Sequence, residues 1–398
     1  MRTDLLTRHT QKIWNIWWVR WILVLIVIYL ARGRILRYAT ADAPIDGLVF
    51  RDAGYAWLHG APLFGPNFLL HNESPFVYPP FAALTFTPLA LFSEDFWPRF
   101  WCAVLAISLL GSLILLFRKH ISHPIELGII AFCVMLYSEP VRINFELGQL
   151  DMIMLFLVII DLFCLMNTRY RGFLIGIAAG IKMTPCVFAI YYLFKKDWRG
   201  LIQSIIGFAF TVIVGAIFYP KDSVYFWTSL AFDSNRAVSP NYYRDQSIHG
   251  LLSRSFLDFH QLDLVKAPIF LVVVGAGVLM AWFFFKKGEM LLSVATLGLG
   301  LHLGMPVANY HHWTVVILVL PVIFGVRGWH LPRIGLALLL GASIYLRLRP
   351  WNILPPQRID HLGDWIFFNQ MGLAAIIAFL LVLISVLGYW LRRTKSHA

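Results

Sequence analysis

Apolar and polar positions alternate along this chain on the scale of a membrane. Apolar runs lie at about Ile13–Leu30, Phe100–Phe117, Ile125–Tyr137 and Leu150–Met166. Others follow at about Leu201–Tyr219, Pro268–Phe285 and Met290–Met305, then one ending at Arg327, one at about Ile334–Leu346 and one at about Trp365–Leu391. Several approach or exceed the roughly 18–20 residues that a helix needs to cross a bilayer. One more stretch, Gly172 to Phe194, is apolar except for Lys182-Met183-Thr184-Pro185 near its middle. Basic residues flank it on both sides: Arg169 and Arg171 before, Lys195, Lys196 and Arg199 after. Flanks on one side of the membrane imply a hairpin of two short helices, each of about 11 residues or roughly 16 Å. Irregular backbone at such depth must line a cavity or be buried in protein. A lysine at its tip is a functional-site candidate, with an ordinary span and a snorkelling or paired lysine as the plainer alternative. The pattern predicts an all-α, polytopic helical membrane protein, a single domain over 1–398. It has about twelve membrane helices, two of them the short broken pair.

Charge sharpens the topology. Of the 398 residues, 59% are hydrophobic and 14% charged, and the formal net charge is +12. Many basic residues cluster in short segments between runs, so the charge reports the positive-inside rule and not nucleic-acid binding. Both termini then lie inside. The long segments Ala31–Arg99, Pro220–Lys266 and Arg347–Asp364 lie outside. The first run is too long for a cleaved leader, and no convincing small-residue cleavage site follows it. Arg20 within it implies that its first turns are interfacial, with Trp14, Trp17 and Trp18 as belt residues. Arg32, Arg34 and Arg37 break the charge rule; they either anchor headgroups or capture an anionic lipid phosphate. Cys102, Cys133, Cys164 and Cys186 all fall within apolar runs and read as buried small hydrophobes. No Walker, Rossmann or zinc pattern occurs, so no nucleotide, metal or cofactor is expected. The doubled His311-His312 is no metal signature alone, since adjacent helical residues point different ways.

Long loops on one face of a rigid scaffold often carry function. The first outside segment sets two carboxylates, Asp42 and Asp46, shortly past the first run, near the membrane surface. A carboxylate there can act as a general base between water and lipid.

Six elements occur in order: Asp46 with Val49-Phe50 and Leu58-His59-Gly60; Tyr78-Pro79-Pro80; Gly148-Gln149-Leu150-Asp151; Ile181-Lys182-Met183-Thr184-Pro185; Asp245-Gln246-Ser247-Ile248-His249-Gly250 with Arg254; and Pro306 to Trp313. Together they resemble the polyprenol-phosphate-sugar-dependent glycosyltransferases of the GT-C type. The match is best to the actinobacterial α-mannosyltransferases that build phosphatidylinositol mannosides and lipomannan. Four positions depart from that pattern. Asp151 and Asp245 stand where the family has asparagine, and Asn309-Tyr310 replaces Ser-Trp before the histidines. The resemblance implies a GT-C architecture with long extracytoplasmic loops carrying amphipathic helices, in a bacterial plasma membrane. It implies an inverting, metal-independent mannosyltransferase with a polyprenyl-phosphate-mannose donor, a phosphatidylinositol mannoside or lipomannan acceptor, and an extracytoplasmic site. The alternative sugar is arabinofuranose from decaprenyl phosphate; the alternative class is a lipid-linked sugar transporter or flippase.

An inverting transfer needs one carboxylate to deprotonate the acceptor hydroxyl and a stabilised leaving group. Asp46 is the expected base, ahead of Asp42 and Asp52. Lys182, Arg254 and the His311-His312 pair are the phosphate candidates; the histidines are alternatively partners for the acceptor's proton. Gln149 and Gln246 are expected to hydrogen-bond sugar hydroxyls, and Tyr78 belongs with the donor-binding set.

Overall fold

The computed structural model describes residues 16–40, 43–65, 68, 74–118, 121–233, 243–255, 262–326, 328–348 and 361–395. Within them the chain is helical, and the one β feature is an isolated bridge between Asp245 and Asn309. Helix α1 (Trp17–Ala39) continues well beyond the apolar run and carries Arg32, Arg34 and Arg37 in its last turns. Two helices occupy the expected long outside segment: α2 (Ile45–His59) and α3 (Pro80–Leu91). Then come α4 (Trp97–Phe117), α5 (Pro124–Met135), α6 (Glu139–Leu147) and α7 (Asp151–Ile159), which widens into a π turn over Ile160–Leu165. The lysine-tipped segment is α8 (Phe173–Ile181), a 3-10 stretch Thr184–Ala189 and the short α9 (Ile190–Phe194). After it run α10 (Trp198–Phe218), α11 (Pro220–Thr228), α12 (Ile248–Ser253), α13 (Leu262–Lys286) and α14 (Met290–Gly304). A 3-10 stretch, Tyr310–Leu318, leads into α15 (Val319–Gly325), and α16 (His330–Leu348), α17 (Leu362–Phe368) and α18 (Gln370–Lys395) complete the fold.

Among the described residues, four helical spans are long and apolar enough to cross a membrane: Trp97–Phe117, Trp198–Phe218, Leu264–Lys286 and Gln370–Arg393. At 1.5 Å per residue, 21 residues reach about 31 Å, the thickness of a hydrocarbon core. The α5–α6 pair makes a fifth if its 79° bend is counted within one span. Several other apolar helices are shorter, so this is a helical membrane protein whose scaffold mixes full-length and partial helices.

The lysine-tipped segment does break where the polar residues fall. Lys182 is extended (φ −143°, ψ 123°), and Pro185 follows in the first turn of the 3-10 stretch. The two flanks of the segment meet: Arg171 Nε lies 2.7 Å from Asp197 Oδ2. Buried Asp161, on the π turn, accepts the Gly172 N–H at 2.6 Å, the Ile175 N–H at 3.1 Å and the Tyr192 hydroxyl. Glycines let α8 lie directly on α10. A Cβ on Gly176 would meet the Ser204 carbonyl oxygen at 2.1 Å, and one on Gly207 the Phe173 carbonyl oxygen at 2.4 Å. Close small-residue packing of this kind replaces the hydrophobic drive that lipid does not supply.

Some sequence expectations change. Arg20, expected only as a residue of the interfacial first turns, is buried and paired with Glu126 of α5 at 2.9 Å, while Trp17 and Trp18 are exposed. Cys102 and Cys133 are buried, but Cys164 and Cys186 are exposed. The arginines at the end of α1 each find a local partner. Arg32 lies over the Tyr29 ring, Arg34 over the Tyr137 ring, and Arg37 sits 3.4 Å from Glu146.

Candidate active site

The site is assembled where α2, α6 and α7 begin or end. Asp46 stands in the first turn of α2, with Pro44 as N-cap, where the helix dipole favours a carboxylate. Its neighbour Gly47 lies within the same first turn. It is a buried helical residue, and a Cβ there would meet the Pro44 ring at 2.7 Å and Trp97 at 3.1 Å. Gly148, left-handed at φ 74°, ends α6 against the same proline; a Cβ there would meet Pro44 Cγ at 2.8 Å. Pro44 is thus gripped by two glycines. That clamp brings the start of α2 to the end of α6, and Asp46 to Gln149.

Gln149 Nε2 donates to Asp46 Oδ2 at 2.5 Å, and the Tyr78 hydroxyl donates to Gln149 Oε1 at 3.2 Å. Three residues from separate sequence elements form one chain of hydrogen bonds. The site is fixed from behind by Trp101, whose indole N–H donates to the Gly148 carbonyl at 2.8 Å. Burial raises the Asp46 pKa above the usual carboxylate value, and the Gln149 hydrogen bond, then Lys182 and Arg244, pull it back. A carboxylate so placed is more basic than a solvated one. Asp52 is buried on the same helix and is rotated about 240° from Asp46, so it serves a different face. Asp42 lies outside the described residues.

Lys182 meets this group from the broken segment. Its Nζ is 2.7 Å from Asp151 Oδ1, both side chains are buried, and it lies 6.0 Å from the centroid of the Tyr78 ring. The aspartate at 151, unusual against the family pattern, thereby neutralises the lysine. His311 and His312 complete the cluster. One ring nitrogen of each and a carboxylate oxygen of Asp151 all lie within 4.8 Å of one another. Asn144 ties them to α6 by donating to the His311 carbonyl oxygen at 2.9 Å. Asp151 Oδ2 and His311 Nδ1 are buried without a hydrogen-bond partner, a cost that a substrate's polar groups can relieve.

Among the described residues this trio is the one group with metal-like spacing. Its chemistry suits an anion better. The Asn309 N–H donates to His312 Nδ1 at 3.0 Å, so the neutral ring carries its proton on Nε2 and presents a donor, not a ligand. A cation would also stand against the Lys182 ammonium.

Gln246 and Arg254 have other company. Gln246 is fully buried; its amide donates to the Tyr243 and Phe368 carbonyls, each at 3.2 Å, and accepts the Gly372 N–H at 3.0 Å. Arg254 donates to Asn369 Oδ1 at 2.6 Å and to the Asp245 carbonyl oxygen. Asp245 Oδ1 accepts the Ser247 and Ala308 N–H groups at 3.0 and 2.8 Å, which clips this turn to the histidine turn. Arg244 was not singled out from sequence. Its charge acts on Asp46 and His311, whereas that of Arg254 acts on Asp245. Its position beside Asp245-Gln246-Ser247 was the available signal.

Comparison with known proteins identifies a family and several relatives. Residues 76–309 match the family model described as Glycosyltransferase family 87. A "Polyprenol-phosphate-mannose-dependent alpha-(1-2)-phosphatidylinositol mannoside mannosyltransferase" of Mycobacterium tuberculosis is 26% identical, over 94% of this chain and 90% of its own length. A protein of the same description from Mycolicibacterium smegmatis is 28% identical, over 86% of this chain and 83% of its own. A "Polyprenol-phosphate-mannose-dependent alpha-(1-2)-phosphatidylinositol pentamannoside mannosyltransferase" of Mycobacterium tuberculosis is 28% identical, over 70% of this chain and 69% of its own. No solved structure matches. With a family match across more than half its length and a carboxylate, a lysine and two histidines gathered at the helix ends, the chain belongs to glycosyltransferase family 87.

Proposed function

We propose that this chain transfers mannose from a polyprenyl-phosphate-mannose donor to a phosphatidylinositol mannoside on the extracytoplasmic face, with inversion at the sugar carbon. The observation that carries the reading is the Asp46–Gln149–Tyr78 hydrogen-bond chain beside the Asp151–Lys182 pair. A carboxylate and an ammonium then share one cluster, which supports a base acting beside a cation.

Asp46 takes the proton of the acceptor hydroxyl as that oxygen forms its bond to the anomeric carbon. The bond from that carbon to the phosphate oxygen breaks, and its electron pair leaves with the polyprenyl phosphate. No proton need be given to such a leaving group. Lys182, the His312 Nε2–H and Arg244 face the charge that grows there, as positioned donors that need no reorganisation. Gln149 holds Asp46 in register and keeps one amide N–H for a sugar hydroxyl. Arg254 and Gln246 act indirectly, by holding the turn that carries Arg244 and its link to the histidines. The relatives are named for α-(1-2) transfer. By inversion, an α product requires a β-linked donor, and the acceptor group would be a mannose 2-hydroxyl.

The test is incubation of the purified chain with radiolabelled polyprenyl-phosphate-mannose and a phosphatidylinositol mannoside. The expected outcome is a product one mannose larger. No transfer, with movement of intact donor between leaflets of a vesicle, would replace this reading with the transporter. Transfer of arabinofuranose alone would replace the sugar.

A further inference from the structure

Arg34 and Arg37 stand near the C-terminal end of α1, against α6, the helix that leads into Gly148 and Gln149. Arg37 lies 3.4 Å from Glu146, and Tyr38 stacks on Phe145 with ring centroids 4.6 Å apart. Glu146 precedes Gln149 by three residues, a span of at most about 10 Å. Gln149 is bonded to Asp46. The two arginines therefore flank the transfer site without belonging to its hydrogen-bond chain.

Their charge is only partly matched. Glu139 and Glu146 are both bonded to buried Arg142, so three guanidinium groups face two carboxylates. Arg34 lies over the Tyr137 ring, 5.5 Å from its centroid. A ring contact engages the flat face of a guanidinium and leaves its in-plane N–H groups to donate. No described residue accepts a hydrogen bond from them. The Arg37 side chain is 56% exposed. Tyr38 is buried among these groups: the charges of Glu146, Arg34, Arg142 and Arg37 all act on it, and its hydroxyl has no partner. A buried hydroxyl left unmet costs stability, which an anionic oxygen entering between Arg34 and Arg37 can offset.

The same face of α1 continues as hydrocarbon. Leu23, Ile26 and Leu30 are exposed, and Arg34 and Arg37 follow them at helical spacing. At 3.6 residues per turn, all five lie within about 40° of one line along the helix. Leu23 to Leu30 covers about 10 Å of a leaflet roughly 15 Å deep. Arg32, by contrast, is rotated about 160° from Arg34. It is engaged by the Tyr29 ring and carbonyl.

Cations above an apolar stripe on one helix face fit an amphiphile with a phosphate head. A plainer account has the arginines anchor bulk headgroups, but it gives no role to the contact with α6 or to the unmet Tyr38 hydroxyl. In the proposed transfer the donor phosphate is met by Lys182 and the histidines, so the phosphate that remains is the acceptor's. We infer that Arg34, Arg37 and Tyr38 hold the phosphodiester of the glycolipid acceptor, which rests on the transfer proposed above. The acyl chains lie along Leu30, Ile26 and Leu23, and the reacting mannose reaches Asp46 across the headgroup's sugars.

Two acceptors separate this site from transfer itself. One is a phosphatidylinositol mannoside; the other has the same chains and sugars with an ether link in place of the phosphodiester. Initial rates are measured with radiolabelled polyprenyl-phosphate-mannose and the purified full chain in neutral detergent. The parent should show a clearly lower KM for the phosphate acceptor. The R34Q/R37Q double variant should raise that KM about thirtyfold, as removal of two cations from a lipid-phosphate site implies. Its kcat, its KM for donor and its KM for the ether acceptor should stay at parental values. R34K/R37K keeps both charges and should recover most of the loss, and R32Q should match the parent. Tyr38→Phe keeps the packing and should raise the same KM about fivefold, which decides the matter if the double variant misfolds. Equal KM for the two acceptors in the parent overturns the site. A rise in donor KM, or an equal rise for both acceptors, also overturns it. No transfer to either acceptor refutes the transfer reading, and the acceptor site with it.

Discussion

Gln149 and Gln246 carry the same expectation from sequence, a hydrogen bond to sugar, yet their surroundings differ. Gln246 spends both amide N–H bonds and its carbonyl on backbone groups of Tyr243, Phe368 and Gly372. Gln149 spends one N–H on Asp46 and its carbonyl on Tyr78, with a donor to spare. The regions around them differ less. The Asp245–Arg254 region clips two turns together by backbone hydrogen bonds yet leaves Asp245 Oδ2 buried without a partner, as the Asp46–Lys182 region leaves Asp151 Oδ2 and His311 Nδ1. A glutamine whose polar groups are all spent makes scaffold, while one with a donor to spare can take a substrate's group.

The largest break in this comparison comes from Asp46→Asn. The change keeps size and loses basicity, and turnover should fall roughly 100- to 10,000-fold with folding intact. Turnover at saturating donor, read with the elution profile of the variant, checks it. A variant with parental turnover would remove Asp46 from the chemistry.

Next is Lys182→Met, which strands the buried Asp151 charge. Breaking a buried pair costs about 3–5 kcal/mol, visible as a lower Tm in detergent. The K182M/D151N double variant should recover much of that stability but not donor use. Recovery of both would make the lysine structural.

Gln246→Leu should act on stability alone. It leaves three backbone groups unsatisfied at about 1–3 kcal/mol each, lessened by relaxation. The expected result is a lowered Tm with an unshifted pH profile in the protein that remains folded.

Gln149→Leu should do the reverse and be the mildest, at about tenfold or less in turnover, with little change in Tm. The pH profile carries the finer signal. Asp46 works when ionised, so kcat/KM rises as pH climbs through its pKa, which burial has raised. The Gln149 hydrogen bond favours the ionised form. Its loss should therefore move the acid limb to higher pH, and a shift to lower pH would contradict the assigned contact.

Much of this was legible in one dimension. Apolar length and charge placement specify a membrane protein, because crossing hydrocarbon requires a minimum apolar length whatever the fold. Lys182 and Pro185 announce the break, because proline cannot continue a helix and a buried lysine must find a partner. Asp46, Tyr78, Gln149, Lys182 and His312 were nameable because each falls in one of the short motifs, outside or between the apolar runs, that carry the family resemblance. What each one touches was not legible. Asp151 as partner of Lys182 is separated from it by 31 positions, and Gln149 from Asp46 by 103. Arg244 and Arg254 are alike in sequence, and the direction of each side chain decides which one acts on Asp46. Local pattern encodes burial and breaks, which depend on neighbours along the chain. Hydrogen-bond partners depend on a few tenths of an ångström between distant segments, and here that register rests on Pro44 held between Gly47 and Gly148.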